Sequence, residues 1–515
     1  MKVPSTKLQV PKKHQTSSIK HQRALVRVWV VRGTTWKSSL PAVRGSILVG
    51  LLWCVALLSV IVIGVLHTAR MDLQVVKNYG DRIQAHYLAL AGVEKAKALL
   101  FQDARDRGRS RRNHSGDLYD DTQRFRDVTL GRGSFSVIRR GRAHEGGGLL
   151  YGVSDEESRL NVNTADTNAL GKLDQLTSEI AASIIDWRGS DNQVTPGGAE
   201  ADYYLSLQPP YQARNGPLPT IRELLMVKGV TRDLLLGNDV HQNGLIPPAG
   251  DLAEDNPVSP LSNDGDLGWA GNLTVDSSVK NVNAAGEDRV NIQNADERAL
   301  TGVKGITSDI ARAIVAYRGR NQFQSIADLL DVTAASQRAG GGQNSGGSDQ
   351  SGQSQSGGQE NQGGQGSGDN TGTTGPPSNF NGGGPRVISE DLLTDIADDV
   401  TADSNQDEAG LINVNTASLE VLQCLPGVNR ELAQAIISYR QSNGYLANIA
   451  WLLKVQGFTR DIFKQVAPLV SARSETFRIL SEGKVKSTGT CQRLQVIARV
   501  GLHDVQTLSY REDDL

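Results

Sequence analysis

The chain has 515 residues, with 54 Lys and Arg against 56 Asp and Glu and a formal net charge of −2. That length holds about three or four domain-sized units, and 38% hydrophobic with 21% charged residues suits globular folding. Three cysteines are too few for a disulfide framework, which excludes a small Cys-stapled secreted scaffold. Glycine at 55 residues, about 11% against a usual ~7%, implies that some stretch is not a packed core.

Charge is unevenly spread. Residues 1–45 hold six Lys, four Arg and no acid, so this segment is +10 and the rest of the chain is −12. Ser46 to Leu66 then runs without a charge, and ~21 residues at ~1.5 Å each span roughly 30 Å of hydrocarbon as a helix. The basic excess in front of the span places the N-terminus in the cytoplasm and the bulk of the chain on the far side. A cleaved secretory signal fits less well, because the apolar run exceeds a signal's h-region and no small-x-small site follows. Beyond the span Leu73, Val76, Ile83, Tyr87, Leu90, Val93 and Leu100 keep helical spacing, and no proline interrupts Ser46 to Arg105. One helix over 46–105 is expected, half in the bilayer and half amphipathic outside it.

Arg44-Gly45 at the junction, followed by this helix, resembles the type IV pilin and pseudopilin family. The resemblance implies a prepilin peptidase cut between Gly45 and Ser46, with methylation of the new terminus. A 45-residue leader is long for that family, so the leader is extended or the start codon is placed too early. The fifth mature position, where most members carry Glu, is Gly50. A carboxylate in lipid is costly unless paired, so a subunit without it has no neighbouring amine to meet, which implies a place at the tip of a fibre.

Residues 106–127, rich in Arg, Asp and Ser, read as an exposed loop. Strand candidates are Ser134–Ile138, Leu149–Val153 and Arg159–Val162, and at the far end Thr476–Leu480, Leu494–Val500 and Val505–Tyr510. Sheet signals at both ends with helical signals between predict an α+β protein: the long helix, a small antiparallel sheet and a large inserted all-α domain. The insertion repeats itself. Leu160-Asn-Val-Asn-Thr-Ala165, Val290-Asn-Ile-Gln-Asn-Ala295 and Ile412-Asn-Val-Asn-Thr-Ala417 are three copies of one phrase, with Thr164, Asn294 and Thr416 as candidate N-caps. A second phrase, Val227-Lys-Gly-Val-Thr231, recurs at Val303–Thr307, Val455–Thr459 and, more loosely, Leu425–Asn429. Gly between apolar residues makes a tight turn between two helices, and Thr or Asn caps the second. These units resemble helix-hairpin-helix modules, which stack to bury a common core. The copy Leu173-Asp-Gln-Leu-Thr177 has lost its Gly and gained an acid. Turn amides with a nearby Lys or Arg contact phosphate in such modules, and Lys228, Lys304 and Arg430 are the candidates. The −12 balance outside the leader argues against nucleic acid and for a structural use of the motif.

The block Ile185-Asp-Trp-Arg-Gly-Ser-Asp191, Gly197–Tyr204, Gln208-Pro-Pro-Tyr211 and Ile221–Leu225, with Gly50 and the Asn-x-Asn phrase, resembles the K-type minor pseudopilins of the type II secretion system. The resemblance covers most of 44–235 and 408–515. It implies a single-pass inner-membrane anchor with the bulk periplasmic, assembly with I- and J-type minor pseudopilins into a tip complex, and contact with the inner-membrane secretion platform. It also implies calcium in the inserted domain, held by Asp186, Asp191, Glu200 and Asp202, hard oxygens of the kind Ca²⁺ prefers; Gly189 stands where the family has a further Asp, and a solvated acidic loop is the equal alternative. The division that follows is a leader 1–45, helix 46–105, sheet residues 106–163, inserted helical residues 164–335, a Gly/Gln/Ser linker 336–385, further helical residues 386–473, and closing strands 474–515. The linker's composition cannot bury enough apolar surface to fold.

The eight His are scattered, and no nucleophile-elbow, phosphate-loop or metalloprotease pattern occurs, so no enzyme is expected. Cys424 reads as a core residue, and a Cys424–Cys491 bridge stays open. Three functions are compatible with these features: initiation of the type II pseudopilus for protein export, a membrane-anchored DNA receptor for uptake, and a minor pilin of a type IV pilus.

Overall fold

In the computed structural model the described residues are 46–512 apart from 114–117, 142–144, 146, 240–266 and 335–384. The basic leader with Gly45, and nearly all of the linker, lie outside them. The chain divides into two compact units, Met1–Leu73 and Gln74–Leu515.

In the first unit the described residues form helix, the start of a helix that runs Ser46–Ser110. Its apolar side chains, Ile47 to Leu66 among them, are exposed, and by length and composition this helix is able to cross a membrane.

In the second unit the same helix continues five residues past the expected end, to Ser110. Its buried face consists of Ala85, Leu88, Ala89, Val93, Ala96, Leu100 and Ala104, whereas Val76, Ile83 and Tyr87 from the expected stripe are exposed. The reason is the sheet beneath, whose Phe135, Val137, Phe477, Ile479, Leu494 and Val496 supply the bulk, so the helix meets them with small residues. Gly483 marks the closest approach: a Cβ there would lie 2.1 Å from the Ala85 carbonyl oxygen and 2.4 Å from the Ala89 nitrogen.

The sheet is antiparallel along its main path, in the order Val128–Leu130, Gly133–Arg140, Thr476–Val485, Cys491–Val500, Val505–Arg511. Leu480 pairs with Ile138 and Val485 with Gly133, so strands from the two ends of the chain zip together around everything inserted between them. The expected strand at 149–153 shrinks to Leu149–Leu150, and that at 159–162 to Leu160–Asn161, which belongs to the insertion rather than to this sheet. The expected loop 106–127 is more ordered than its polarity suggests: Thr122–Phe125 is helical, and Leu118 and Phe125 are core residues.

The insertion consists of three modules of one plan, sharing a core. Each opens on a two-residue strand of the first repeated phrase, passes through two helical hairpins, and closes by parallel pairing with the opening strand. The pairs are Leu160–Asn161 with Leu273–Thr274, Val290–Asn291 with Val400–Thr401, and Ile412–Asn413 with Val470–Ser471. The inserted part is therefore not purely helical. Between the modules, Ser278–Lys280 also pairs with Asp407–Ala409.

Candidate functional site

The repeated phrases explain the modules from the residues upward. In each, the first Asn turns the chain: the side-chain oxygens of Asn161, Asn291 and Asn413 accept from the amides of Asn163, Gln293 and Asn415, at 2.9, 2.8 and 2.9 Å. This turn carries the chain past Thr164, Asn294 and Thr416, so the helix caps fall two residues later than expected, at Asp166, Asp296 and Ser418. The residue two positions on reaches into the second hairpin. Asn163 exchanges two bonds with Leu218, Asn415 does the same with Leu446, and Gln293 accepts from Phe323.

The hairpin turns follow the expected chemistry. Gly229, Gly305, Gly427 and Gly457 have φ of +83°, +104°, +71° and +87°, and the next helices are capped by Thr231, Thr307, Asn429 and Thr459. Gln175, in the copy lacking Gly, adopts the same left-handed backbone at φ +58°. In the second module the corresponding turn is replaced by the long insertion. The helices Ile326–Asp331 and Glu390–Ile396 flank it, the Ala334 amide donates to the Pro385 carbonyl at 2.9 Å, and the Val387 amide donates to Val332 at 3.0 Å. The linker thus emerges from a clasped stem.

One repeated element escapes a phrase-by-phrase reading. Arg188, Arg318 and Arg440, each at or near the end of a second helix, reach back to the carbonyls of the opening phrase: Val162 and Ala165, Ile292 and Ala295, Val414 and Ala417. The constant offsets of 26 and 23 residues are the signal that would have found them. In the first module Trp187 joins this core, donating to Glu223 at 3.1 Å and meeting Tyr204 edge-on at 4.9 Å. Burial pushes the Tyr204 hydroxyl up to about 12.

The candidate phosphate contacts lie on separate modules. Lys304 and Arg430 are exposed at their turns. Lys228 donates to the Gly197 and Gly198 carbonyls at 3.3 and 3.1 Å and lies 5.3 Å from the Tyr203 ring centre, so it braces its own loop.

That loop carries the acidic candidates. Asp186 and Glu200 are buried, and Asp186 accepts from the Thr195 amide. Burial first, then the charges of Asp186 and Asp191, raise the Glu200 carboxyl above its ordinary value, and its Oε2 has no hydrogen-bond partner. Asp191 and Asp202 are exposed. Among the described residues no three His, Cys, Asp or Glu side chains form a metal-holding group, so the structure assembles a buried carboxylate pair with Asp191 near it. Cys54, Cys424 and Cys491 are free thiols, which closes the option of a bridge, and burial pushes Cys424 up to about 12.

The sheet and the modules meet at a site absent from the sequence-based expectations. Asp155, Glu156, Glu157 and Ser158 are all buried. Asp155 Oδ2 accepts from Ser474 at 2.6 Å, Asn413 at 3.3 Å and the Thr416 hydroxyl. Glu156 pairs with Arg478 at 2.7 Å and Arg159 at 3.6 Å and accepts from Thr274. Burial works against its charge, yet the two arginines and Thr274 lower its pKa overall. Glu157 accepts from the amides of Thr476 and Ser278. This hub ties a sheet strand to the first and third modules. A cavity of about 650 Å³ opens beside it, lined by Asp155, Asp276, Arg478 and Tyr510 among others.

Comparison with known proteins gives two family matches. The model described as type II secretion system (T2SS), protein K, matches residues 158–236, and that described as helix-hairpin-helix motif matches 286–337 and 407–471. ComE operon protein 1 of Bacillus subtilis is 36% identical over 70 residues, which is 14% of this chain and 34% of that protein. Type II secretion system protein K of Pectobacterium carotovorum is 28% identical over 112 residues, covering 18% of this chain and 34% of the relative. The Klebsiella pneumoniae protein of the same description is 26% identical over 193 residues, covering 36% and 58%. The chain thus spans between a third and three-fifths of the length of these relatives. The solved GspK-GspI-GspJ complex from enterotoxigenic Escherichia coli contains a chain related at TM-score 0.36 and 13% identity, covering 86% of this chain and 99% of that one. The chain carries a type II secretion system protein K domain at residues 158–236, followed by helix-hairpin-helix motifs in its later region.

Proposed function

We propose that this chain is a K-type minor pseudopilin that sits at the tip of the type II secretion pseudopilus and helps to initiate its assembly for protein export across the outer membrane. The observation that carries the reading is the protein K domain at 158–236, set in a chain that begins its described part with one apolar helix. The anchor is a single inner-membrane pass with the bulk in the periplasm. A prepilin peptidase cuts between Gly45 and Ser46, and Ser46 is then methylated. Gly50 leaves no carboxylate for a neighbour's amine, and nothing lies within 4 Å of where its Cβ would be, so packing within the chain does not demand glycine there. The partners are the I- and J-type minor pseudopilins and the secretion platform. Mass spectrometry of the membrane-extracted chain tests the processing: a methylated Ser46 terminus, lost on Gly45 substitution, is expected, and an intact leader would contradict it.

Calcium belongs to the same reading. Asp186 and Glu200 would hold it with help from Asp191, and the cation would neutralise their mutual repulsion. Calorimetric titration of chelator-treated chain should show binding that Glu200→Gln weakens; no heat in either protein would remove the ion from this reading.

Exposed Lys304 and Arg430, with the ComE operon protein 1 match, favour a second reading, a membrane-anchored DNA-binding protein. It requires salt-sensitive duplex binding by the full chain that falls when Lys304 and Arg430 are reversed in charge. A minor pilin of a type IV pilus differs from the first reading in its phenotype, surface fibres rather than secretion.

A further inference from the structure

The hub at Asp155–Ser158 holds more acid than the packing around it needs. Three consecutive carboxylates, with relative exposures of 2%, 0% and 0%, sit where the sheet strand Thr476–Val485 meets two modules. Two arginines, Arg478 and Arg159, face the middle one, Glu156. The outer two share one buried turn: the Glu157 backbone amide donates to Asp155 Oδ1 at 2.9 Å, and both carboxyls are closed off from water. Around this pair, Asp155 is held by Asn413, Ser474 and Thr416 from the third module and its exit, and Glu157 by the Thr476 amide of the sheet and the Ser278 amide of the strand that follows the first module. The other charged or titratable groups that act on the pair are Tyr119, from the segment after the long helix, and Arg499, from strand Cys491–Val500, which Asp407 and Glu475 also engage.

We propose that Glu157 keeps a proton beside Asp155 and forms a pH-sensitive latch between the sheet, the strand Ser278–Lys280 and the third module. With the proton in place, Glu157 is neutral while its carbonyl oxygen still accepts from Thr476 and Ser278. Without it, two anions share one turn closed to water and repel each other. Burial, then the Asp155 charge, hold the Glu157 carboxyl well above the ordinary Glu value. For an acid raised in this way, the folded state binds the proton more tightly than the unfolded chain. The latch therefore contributes fully below the ordinary Glu pKa and loses strength as pH rises through the elevated folded value.

The test compares the full chain in detergent with Glu157→Gln, whose side chain is neutral at every pH and still accepts from both amides. Between pH 5 and pH 9 the wild-type Tm should fall relative to the variant, with the two curves closest at pH 5. Parallel curves, or a variant uniformly less stable at every pH, would overturn the latch. Should the variant not fold, hydrogen exchange of the wild type decides. Protection of the Thr476 and Ser278 amides, corrected for intrinsic rates and referred to Val496, should drop at least tenfold over the same range, and a constant ratio would refute the proposal.

Discussion

Arg440 donates to the Val414 carbonyl at 2.9 Å from a side chain that is itself buried, and its other arm holds Ala417 at 2.8 Å. Arg188 and Arg318 do the same in the other modules from half-buried positions. Removing Arg440 leaves two carbonyls without their charged donor, and unmet buried acceptors cost about 1–3 kcal/mol each. Arg440→Leu should therefore destabilise the chain by roughly 2–4 kcal/mol in denaturant titration, and Arg318→Leu by less. Equal losses would mean that burial of the guanidinium is not what sets the cost.

Gly483 and Ala85 define the contact of helix and sheet. Both obstructing groups are backbone, so a methyl at 483 cannot be accommodated by a side-chain shift. Gly483→Ala should cost about 2–3 kcal/mol, at the upper end of overpacking, read as a lowered Tm. Gly50→Ala, where no atom lies within 4 Å, should leave Tm unchanged.

These contacts show which features are legible in a sequence. Strands at both ends of the chain carry period-two patterning, and the Gly-Thr turns carry their own backbone chemistry, so both are visible in the order of residues alone. The helix face is visible only in part: Val93 and Leu100 are on it, but four of its seven contact residues, Ala85, Ala89, Ala96 and Ala104, are alanines that carry less apolar bulk than exposed Val76 and Tyr87. The caps slip by two residues because the Asn161 side chain builds a turn of its own ahead of Asp166. Asp155, Glu156 and Glu157 carry no signal of their burial in the sequence, since the groups that bond them come from positions 118–322 residues away. The acidic loop is half legible: Asp186 and Glu200 come together, while the exposure of Asp202 depends on where its helix starts.

Asp276, on the cavity wall, has a carboxyl raised to about 6 by burial and then by Glu156, with Arg478 opposing. Its folded pKa exceeds the unfolded one, so its contribution is present below about pH 4 and lost as pH rises through about 6. At neutral pH the charged group is a liability of order 1 kcal/mol once solvent screening is allowed for. Asp276→Asn should raise stability above pH 7 and leave it unchanged near pH 4. A gain of the same size at both pH values would show that its charge is not the cause.

The clasped stem at Val332 and Val387 holds the two ends of the second-module insertion together. Replacing residues 335–384 by four glycine-rich residues should preserve the module, with a gain of roughly 1–2 kcal/mol from the shorter closure. A loss of stability would show that the excised residues pack against the fold.

The most direct test of the proposed function is co-purification of the membrane-extracted full-length chain with tagged I- and J-type minor pseudopilins from the same cells. A stable complex of the three, formed without the major pseudopilin, is expected of a tip subunit. Recovery of the chain alone, or with duplex DNA in place of the pseudopilins, would contradict that assignment and leave the helix-hairpin-helix modules as the functional surface.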